Sequence, residues 1–449
     1  MTRNPRSNSP ARLFALAAAV LFTIAVPVAR AQSLDLDRER GREILDSLKQ
    51  DIKKNYYDPA FHGIDLDARF KEASEKVKEA KNVGQIFGIV AQALLDFDDS
   101  HLYFVPPSRS ATYDYGWRMQ MIGDKCFVIA VKPGSDADGK GLKAGDEVVS
   151  VNGFEPTREN HWKMLYYFYS LRPQPGMRVV VAKPGGERKQ FDVMAKVTQG
   201  RRVKDLSGDS ATSSFDINEM DREMEDAVRA SRERYVEMGE DLMIWKMREF
   251  AATDTQIDDM MAKARKHKSL VLDLRGNGGG YETTLLRLIG NCIDHDVKIG
   301  DVKRRKETKA VVAKTRGAEH VFAGKLVVLV DSQSGSAAEL LARVVQLEKR
   351  GEVIGDRSAG AVMRAKFYDH TLGAESVSFY GASVTDADIL MADGKSLEHV
   401  GVEPDQLMLP TAADLLAGRD PVLAHAASLA GVKLDPEKAG TLFPGEWRK

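Results

Sequence analysis

The stretch KLVVLVDSQSGSAAELLARVVQLEKR, Lys325 to Arg350, constrains this chain more than any other. Leu326 to Val330 is an unbroken aliphatic run rich in β-branched residues, which predicts a strand buried on both faces. Small and polar residues from Asp331 to Gly335 predict a tight turn. From Ala337 the spacing becomes helical, with Leu340, Leu341, Val344 and Val345 on one face. Ser336 falls where the turn becomes the helix. The first N–H groups of a helix lack backbone partners, so that place favours negative charge. A nucleophilic serine needs such a setting, exposed at a strand-to-helix turn with amides at hand for an oxyanion. A lone serine at a helix start is more often only an N-cap, so the company this stretch keeps decides the matter.

The chain has 449 residues, 43% hydrophobic and 29% charged, which predicts a globular protein of two to four domains. A net charge of −1 gives no electrostatic footprint for nucleic acid. Residues 1–31 read as a signal peptide. Arg3, Arg6 and Arg12 precede an apolar run from Leu13 to Val28, and Ala29-Arg30-Ala31 is a small-x-small cleavage site. An exported protein, periplasmic or secreted, with no membrane span after cleavage, is therefore expected. Cys126 and Cys292 fall in separate units and read as unpaired thiols. The nine histidines show no HExxH or paired spacing, so no metal and no cofactor are expected.

In chain order, residues 32–105 form a helical region. Ile44, Leu48, Ile52 and Tyr56 recur at helical intervals, and Ile86 to Phe97 is strongly apolar. That run ends in LLDFDDSHLYFVPP, which puts Ser100 and His101 just beyond a helix and before a strand-like Leu102 to Val105. Asp96, Asp98 and Asp99 read as a polar helix end. Residues 106–198 form a second unit around GSDADGKGLKAGDEVVSVNG, with a turn at Gly141 to Asp146, a strand through Val148, Val149 and Val151, and a hairpin turn at Asn152-Gly153. This unit resembles a PDZ domain. The resemblance implies a module that captures extended peptide ends by strand addition, with a carboxylate loop near Tyr115, Gly116 and Trp117. Residues 199–238 read as a charged helical linker.

Residues 239–449 form the third unit. Leu242 to Met247 predicts a strand, and Ile257 to Ala264 a helix capped by Thr255 or a near neighbour. Leu270 to Leu274 predicts a buried strand that ends in Gly278-Gly279-Gly280, and Glu282 to Ile289 a helix. Such a triplet lets backbone N–H groups approach a ligand, and no phosphate-loop spacing is present, so an oxyanion hole fits better. GEVIGDRSAGAV, an alternating region from Phe367 to Val384, LEHVGVEPD and one or two closing helices complete the chain.

Together, LDLRGNGGG, SGSAAELLA, GDRSAGAV and GVEPD resemble the C-terminal-processing and tricorn-core family of serine peptidases. The resemblance implies an α/β fold, with a crotonase-like (ClpP-like) β/α layered core, an N-terminal helical region and an inserted PDZ β-barrel domain. One branch of that family uses a Ser–Lys dyad. Its lysine would fall on position 361, which is Ala361 here, and Lys366 comes five residues later. The other branch uses a Ser–His pair. Its pattern implies Ser336 as nucleophile, His101 as base, Ser100 and Glu398 as assistants, and Ala337 with Gly280, or Gly279, as oxyanion amides. The expected function is that of an exported serine endopeptidase, a hydrolase acting on polypeptides, tail-specific if their C-termini are captured. A homo-oligomer is left open. The rival expectation, permitted by Ala361, is a non-catalytic peptide-binding scaffold.

Overall fold

A computed structural model describes residues 34–107, 111–199, 234–372 and 378–444. The expected signal peptide and residues 200–233 of the expected linker lie outside the described residues.

The Leu326–Val330 run sits inside a six-stranded sheet whose spatial order follows the chain: Arg234–Met238, Leu242–Lys246, Ser269–Asp273, Lys325–Val330, Glu352–Gly355 and Gln406–Leu407. The first pair is antiparallel and the rest are parallel. All five side chains from Leu326 to Val330 are 1% exposed or less. Leu326, Val328 and Val330 pack with residues of the helices Asp254–Ala264, Glu282–Cys292 and Ala337–Leu347. Val327 and Leu329 pack on the other face, with residues of Pro421–Leu429 and Pro436–Leu442. Each such side chain removed from water contributes about 1.5–3 kcal/mol, so the strand's register is firmly set.

A second, antiparallel sheet lies beside this core. Its long strand Ser378–Met391 pairs with Met363–Leu372, with Val297–Lys303 and with the short strand Tyr103–Val105. The last pairing docks the N-terminal unit. Helices over 34–55, Leu66–Glu79 and Val83–Leu95 bury Ile44, Leu48, Ile52, Tyr56, Phe70 and Val90. Phe104 joins that core together with Tyr380, Ala382 and Val384 from the long strand. The residues just before Tyr103 are thereby carried onto the main body.

The 111–199 unit is built on five antiparallel strands, Trp117–Ile122, Lys125–Val131, Glu147–Val151, Gly176–Ala182 and Arg188–Met194, each beside its chain neighbour. Helix His161–Leu165 runs into a wide π turn, Tyr166–Leu171, and closes the unit's core through Met164 and Phe168. Arg158 ties this unit to the main body. It donates to Gly123 O at 2.7 Å, to Arg357 O at 3.1 Å and to the Asp356 carboxylate at 2.6 Å. The edge strand adds Gln120 Nε2 to Asp331 Oδ2 at 2.7 Å, and Ser332 Oγ donates back to Met121 O at 2.5 Å.

Four expectations change. Arg234–Met238 is a strand rather than the end of a charged helix, because it pairs with Leu242–Lys246 across a tight turn at Gly239. The helix expected from Ile257 begins at Asp254 and is capped by Thr253, whose hydroxyl and Gln256 form a capping box. The tail forms three helices, Ala412–Ala417, Pro421–Leu429 and Pro436–Leu442, rather than one or two, since Gly418 adopts a left-handed C-cap and Pro421 restarts the next. The helix expected from Trp162 to Leu171 is α only as far as Leu165. Cys126 and Cys292 are both buried and unpaired, as expected. Among the described residues no helix is long and apolar enough to cross a membrane.

Candidate active site

Ser336 follows the buried strand and immediately precedes the helix Ala337–Leu347, at φ 52° and ψ −117°. A non-glycine residue in that region costs about 1–3 kcal/mol and needs strong support from its surroundings. The support is visible. Its N–H donates to Ala361 O at 2.9 Å and to Glu339 Oε2 at 3.0 Å. Glu339 is fully buried and gathers three more donors: Ser358 Oγ at 2.6 Å, Gly360 N at 2.7 Å and Ala361 N at 3.0 Å. Burial nevertheless pushes its carboxyl up to about 7, against the lowering effect of these bonds. Ahead of Ser336, Ser334 Oγ donates to Leu274 O at 2.8 Å, and Gly335 N to Asn277 O at 2.9 Å. The turn is thus clamped to the loop that follows Ser269–Asp273.

That loop holds the glycine triplet. Gly279 has φ +102°, and a Cβ there would stand 2.6 Å from Ser336 Cβ and 3.0 Å from Ala337 N. Only glycine permits this approach. The N–H of Gly279 donates to Asn277 Oδ1 at 2.8 Å, so that amide is spent inside the loop, against the expectation that it faces an oxyanion. Gly280 bridges Phe250 in a parallel sense, with Phe250 N donating to Gly279 O and Tyr281 N to Phe250 O. In a parallel bridge of this kind the N–H of Gly280 points away from Phe250. Ala337 N is the first amide of the helix, and it lies against the same loop.

The histidine side of the site arrives from far away in the chain. Ser100 N donates to Glu398 Oε1 at 2.9 Å and Ser100 Oγ to Glu398 Oε2 at 2.9 Å, across 298 residues. Glu398 Oε2 also accepts Val362 N at 2.8 Å, next to the Ala361 that holds Ser336. His101 Nδ1 lies 2.8 Å from Ser100 Oγ. A serine hydroxyl has one proton, and the Glu398 carboxylate takes it, so Ser100 must accept from His101. This fixes the proton on Nδ1 and leaves Nε2 bare. Burial holds the His101 imidazole below its ordinary range, while the Asp99 carboxylate opposes that shift. Burial raises the Glu398 carboxyl, against the bonds from Ser100 and Val362.

Ser336, Glu398, Ser100 and His101 are therefore joined in one run of hydrogen bonds through the backbone at 361–362. Lys366 is not in it. Its ammonium points at Asp386, 3.8 Å away, and its side chain is 59% exposed. Tyr115 and Gly116 lead into the edge strand of the five-stranded unit, which begins at Trp117. Tyr115 is held by Gln174, and Gly116 N donates to Asp114 Oδ1 at 2.9 Å. Two carboxylates escaped the reading of the sequence as functional groups. Glu339 was legible only as a register mark, although S-x-x-E before an apolar run is a capping-box signal. Asp99 was masked by the aspartates around it.

Residues 242–408 match the sequence model of peptidase family S41. A chloroplastic C-terminal processing peptidase of Tetradesmus obliquus is 24% identical over 388 residues, covering 80% of this chain and 75% of the relative. A tricorn protease homolog of Streptomyces coelicolor is 24% identical over 412 residues, covering 87% of this chain but 32% of the relative. The carboxy-terminal processing protease CtpA of Bacillus subtilis is 23% identical over 360 residues, covering 79% and 68%. Among solved structures, mature CPAF complexed with lactacystin aligns with a TM-score of 0.61 at 13% identity, covering 85% of this chain and 95% of that one. The fold is a mixed α/β fold shared with that protein. The chain is a serine-type peptidase, a hydrolase of peptide bonds. Its core is similar to peptidase family S41 over residues 242–408, and the chain as a whole is similar to C-terminal processing peptidases and tricorn protease homologs.

Proposed function

We propose that this chain is an exported endopeptidase that cleaves polypeptides through an acyl-enzyme, with Ser336 as nucleophile and His101 as base. The observation that carries this reading is the run Glu398–Ser100–His101, which leaves His101 Nε2 as a bare acceptor. Ser336 Oγ attacks the scissile carbonyl while Nε2 takes its proton. The amides of Ala337 and Gly280 stabilise the oxyanion, with each donor contributing about 3–4 kcal/mol where such donors have been removed. The tetrahedral centre collapses, Nε2 returns the proton to the leaving amine, and water repeats the sequence to free the acyl group. Ser100 and Glu398 hold the tautomer and balance the imidazolium.

The six-stranded sheet with its flanking helices fits a crotonase-like core, and the 111–199 unit fits a PDZ module that presents polypeptide ends. The Ser–Lys design has no support, because position 361 is alanine with both backbone groups engaged. An active-site fluorophosphonate tests the reading. Labelling of Ser336 in the native chain, lost in Ser336→Ala and strongly slowed in His101→Ala, is expected. Undiminished labelling in His101→Ala sinks the assignment of the base.

A further inference from the structure

Asp99 is 3% exposed. Its Oδ1 accepts the N–H of His101 at 2.9 Å and the hydroxyl of Thr385 at 2.7 Å, and its Oδ2 accepts Tyr56 OH at 2.9 Å. Every hydrogen bond found to it among the described residues comes from a neutral donor. A buried carboxylate held only by neutral donors is costly unless a positive charge develops nearby. His101, two residues on, is where such a charge forms when Nε2 takes a proton.

The donors are themselves fixed. Tyr56 is fully buried in the N-terminal core. His62 Nδ1 lies 2.9 Å from Phe97 O, which calls for a proton on Nδ1, so His62 Nε2 accepts Tyr57 OH at 2.8 Å. With His62 satisfied in this way, the Tyr56 proton is left for Asp99. Thr385 belongs to the long strand, and its carbonyl accepts Tyr57 N at 3.0 Å. Asp99 is thus gripped by the N-terminal unit on one side and the main body on the other.

We propose that Asp99 is a positioning residue for His101: it pins the main chain beneath the imidazole and supplies a fixed negative charge against which the imidazolium forms. This rests on the reading of His101 as the base. The other ionisable groups in this neighbourhood are Glu398, behind Ser100, and Tyr56, Tyr57, Asp58 and His62 from the N-terminal turn. Asp388 stands on the long strand, and Asp98 and His399 form the rim.

The test is an NMR titration of the His101 ring in the full chain carrying Ser336→Ala, which cannot digest itself, with the signal assigned by its loss in His101→Gln. Asp99→Asn should lower the His101 midpoint by about one pH unit or more. In the chain with Ser336 intact, the acid limb of kcat/KM should move down with it, kcat should fall about 10- to 100-fold and KM should stay within about twofold. Asp99→Glu, which keeps the charge, should restore the midpoint. Tyr56→Phe, read even if Asp99→Asn does not fold, removes a neutral donor but not the charge, and should not lower the midpoint. An unmoved midpoint in Asp99→Asn, or an equal fall in Tyr56→Phe, overturns the proposal. Full cleavage by His101→Gln removes the base itself, and that result is distinguishable because the titration of Asp99→Asn is read separately.

Discussion

The carboxylate of Glu339 accepts the N–H of Ser336 at 3.0 Å, three residues ahead of it. The same carboxylate binds Ser358, Gly360 and Ala361, so one buried side chain joins the Ser336 turn to the segment beside Glu398. A glutamine would put an NH₂ where one carboxyl oxygen now accepts two of these bonds, and a buried donor left unsatisfied costs about 1–3 kcal/mol. Glu339→Gln should therefore cost about 2–3 kcal/mol of stability and at least tenfold in kcat. The pH dependence has a definite sign. This carboxyl ionises near 4.5 when unfolded and near 7 when folded, so its favourable contribution is full below 4.5 and disappears as pH rises through 7. The gap in Tm between the native chain and Glu339→Gln should shrink from pH 4.5 to 7.5, and a gap that widens contradicts the account.

Glu398→Gln keeps the shape but presents a donor to Ser100. The hydroxyl would then turn its proton toward His101 Nδ1 and force the other tautomer. A fall in kcat of about 10²- to 10⁴-fold is expected, with KM little changed. Single-turnover kinetics on a fluorogenic peptide measure it.

Burial holds the His101 imidazole below its ordinary range, and the Asp99 carboxylate opposes that shift. The acid limb of kcat/KM should have its midpoint below 6.5. A limb centred well above that value in the native chain would point to another titrating group.

Gly279→Ala would place a methyl group 2.6 Å from Ser336 Cβ on a backbone at φ +102°. Both the strain and the displaced serine should act. Labelling of Ser336 by a fluorophosphonate should slow by at least about 100-fold, since a 1 Å misplacement has that order of effect.

Arg158 and Asp356 join the 111–199 unit to the main body with side chains 12% and 8% exposed. Breaking a pair this buried leaves a charge without its partner. Arg158→Ala should cost about 3 kcal/mol, visible as a lower midpoint in urea or as a separate early transition of the second unit.

Much of this was legible in the residues. Leu326 to Val330 announced a strand covered on both faces, and the glycines at 278–280 announced a close backbone approach. The helical spacing of Ile44, Leu48 and Ile52 was equally plain. What stayed hidden depends on distant partners. Arg234–Met238 is charged enough to suit a helix, and only its pairing with Leu242–Lys246 makes it a strand. The engagement of Gly279 N by Asn277, and the roles of Glu339 and Asp99, arise from side chains converging out of several loops. No local spacing records such convergence.

The three-residue strand Tyr103–Val105, laid along the 378–391 strand, has a consequence for how the enzyme comes into being. It lays the segment that carries Ser100 and His101 on the main body, where Ser100 meets Glu398. In a growing or half-folded chain without this pairing, Ser100 and His101 stand apart from Glu398. With His101 as the proposed base, cleavage on gentle warming should vanish as this short pairing frays, before the six-stranded sheet melts.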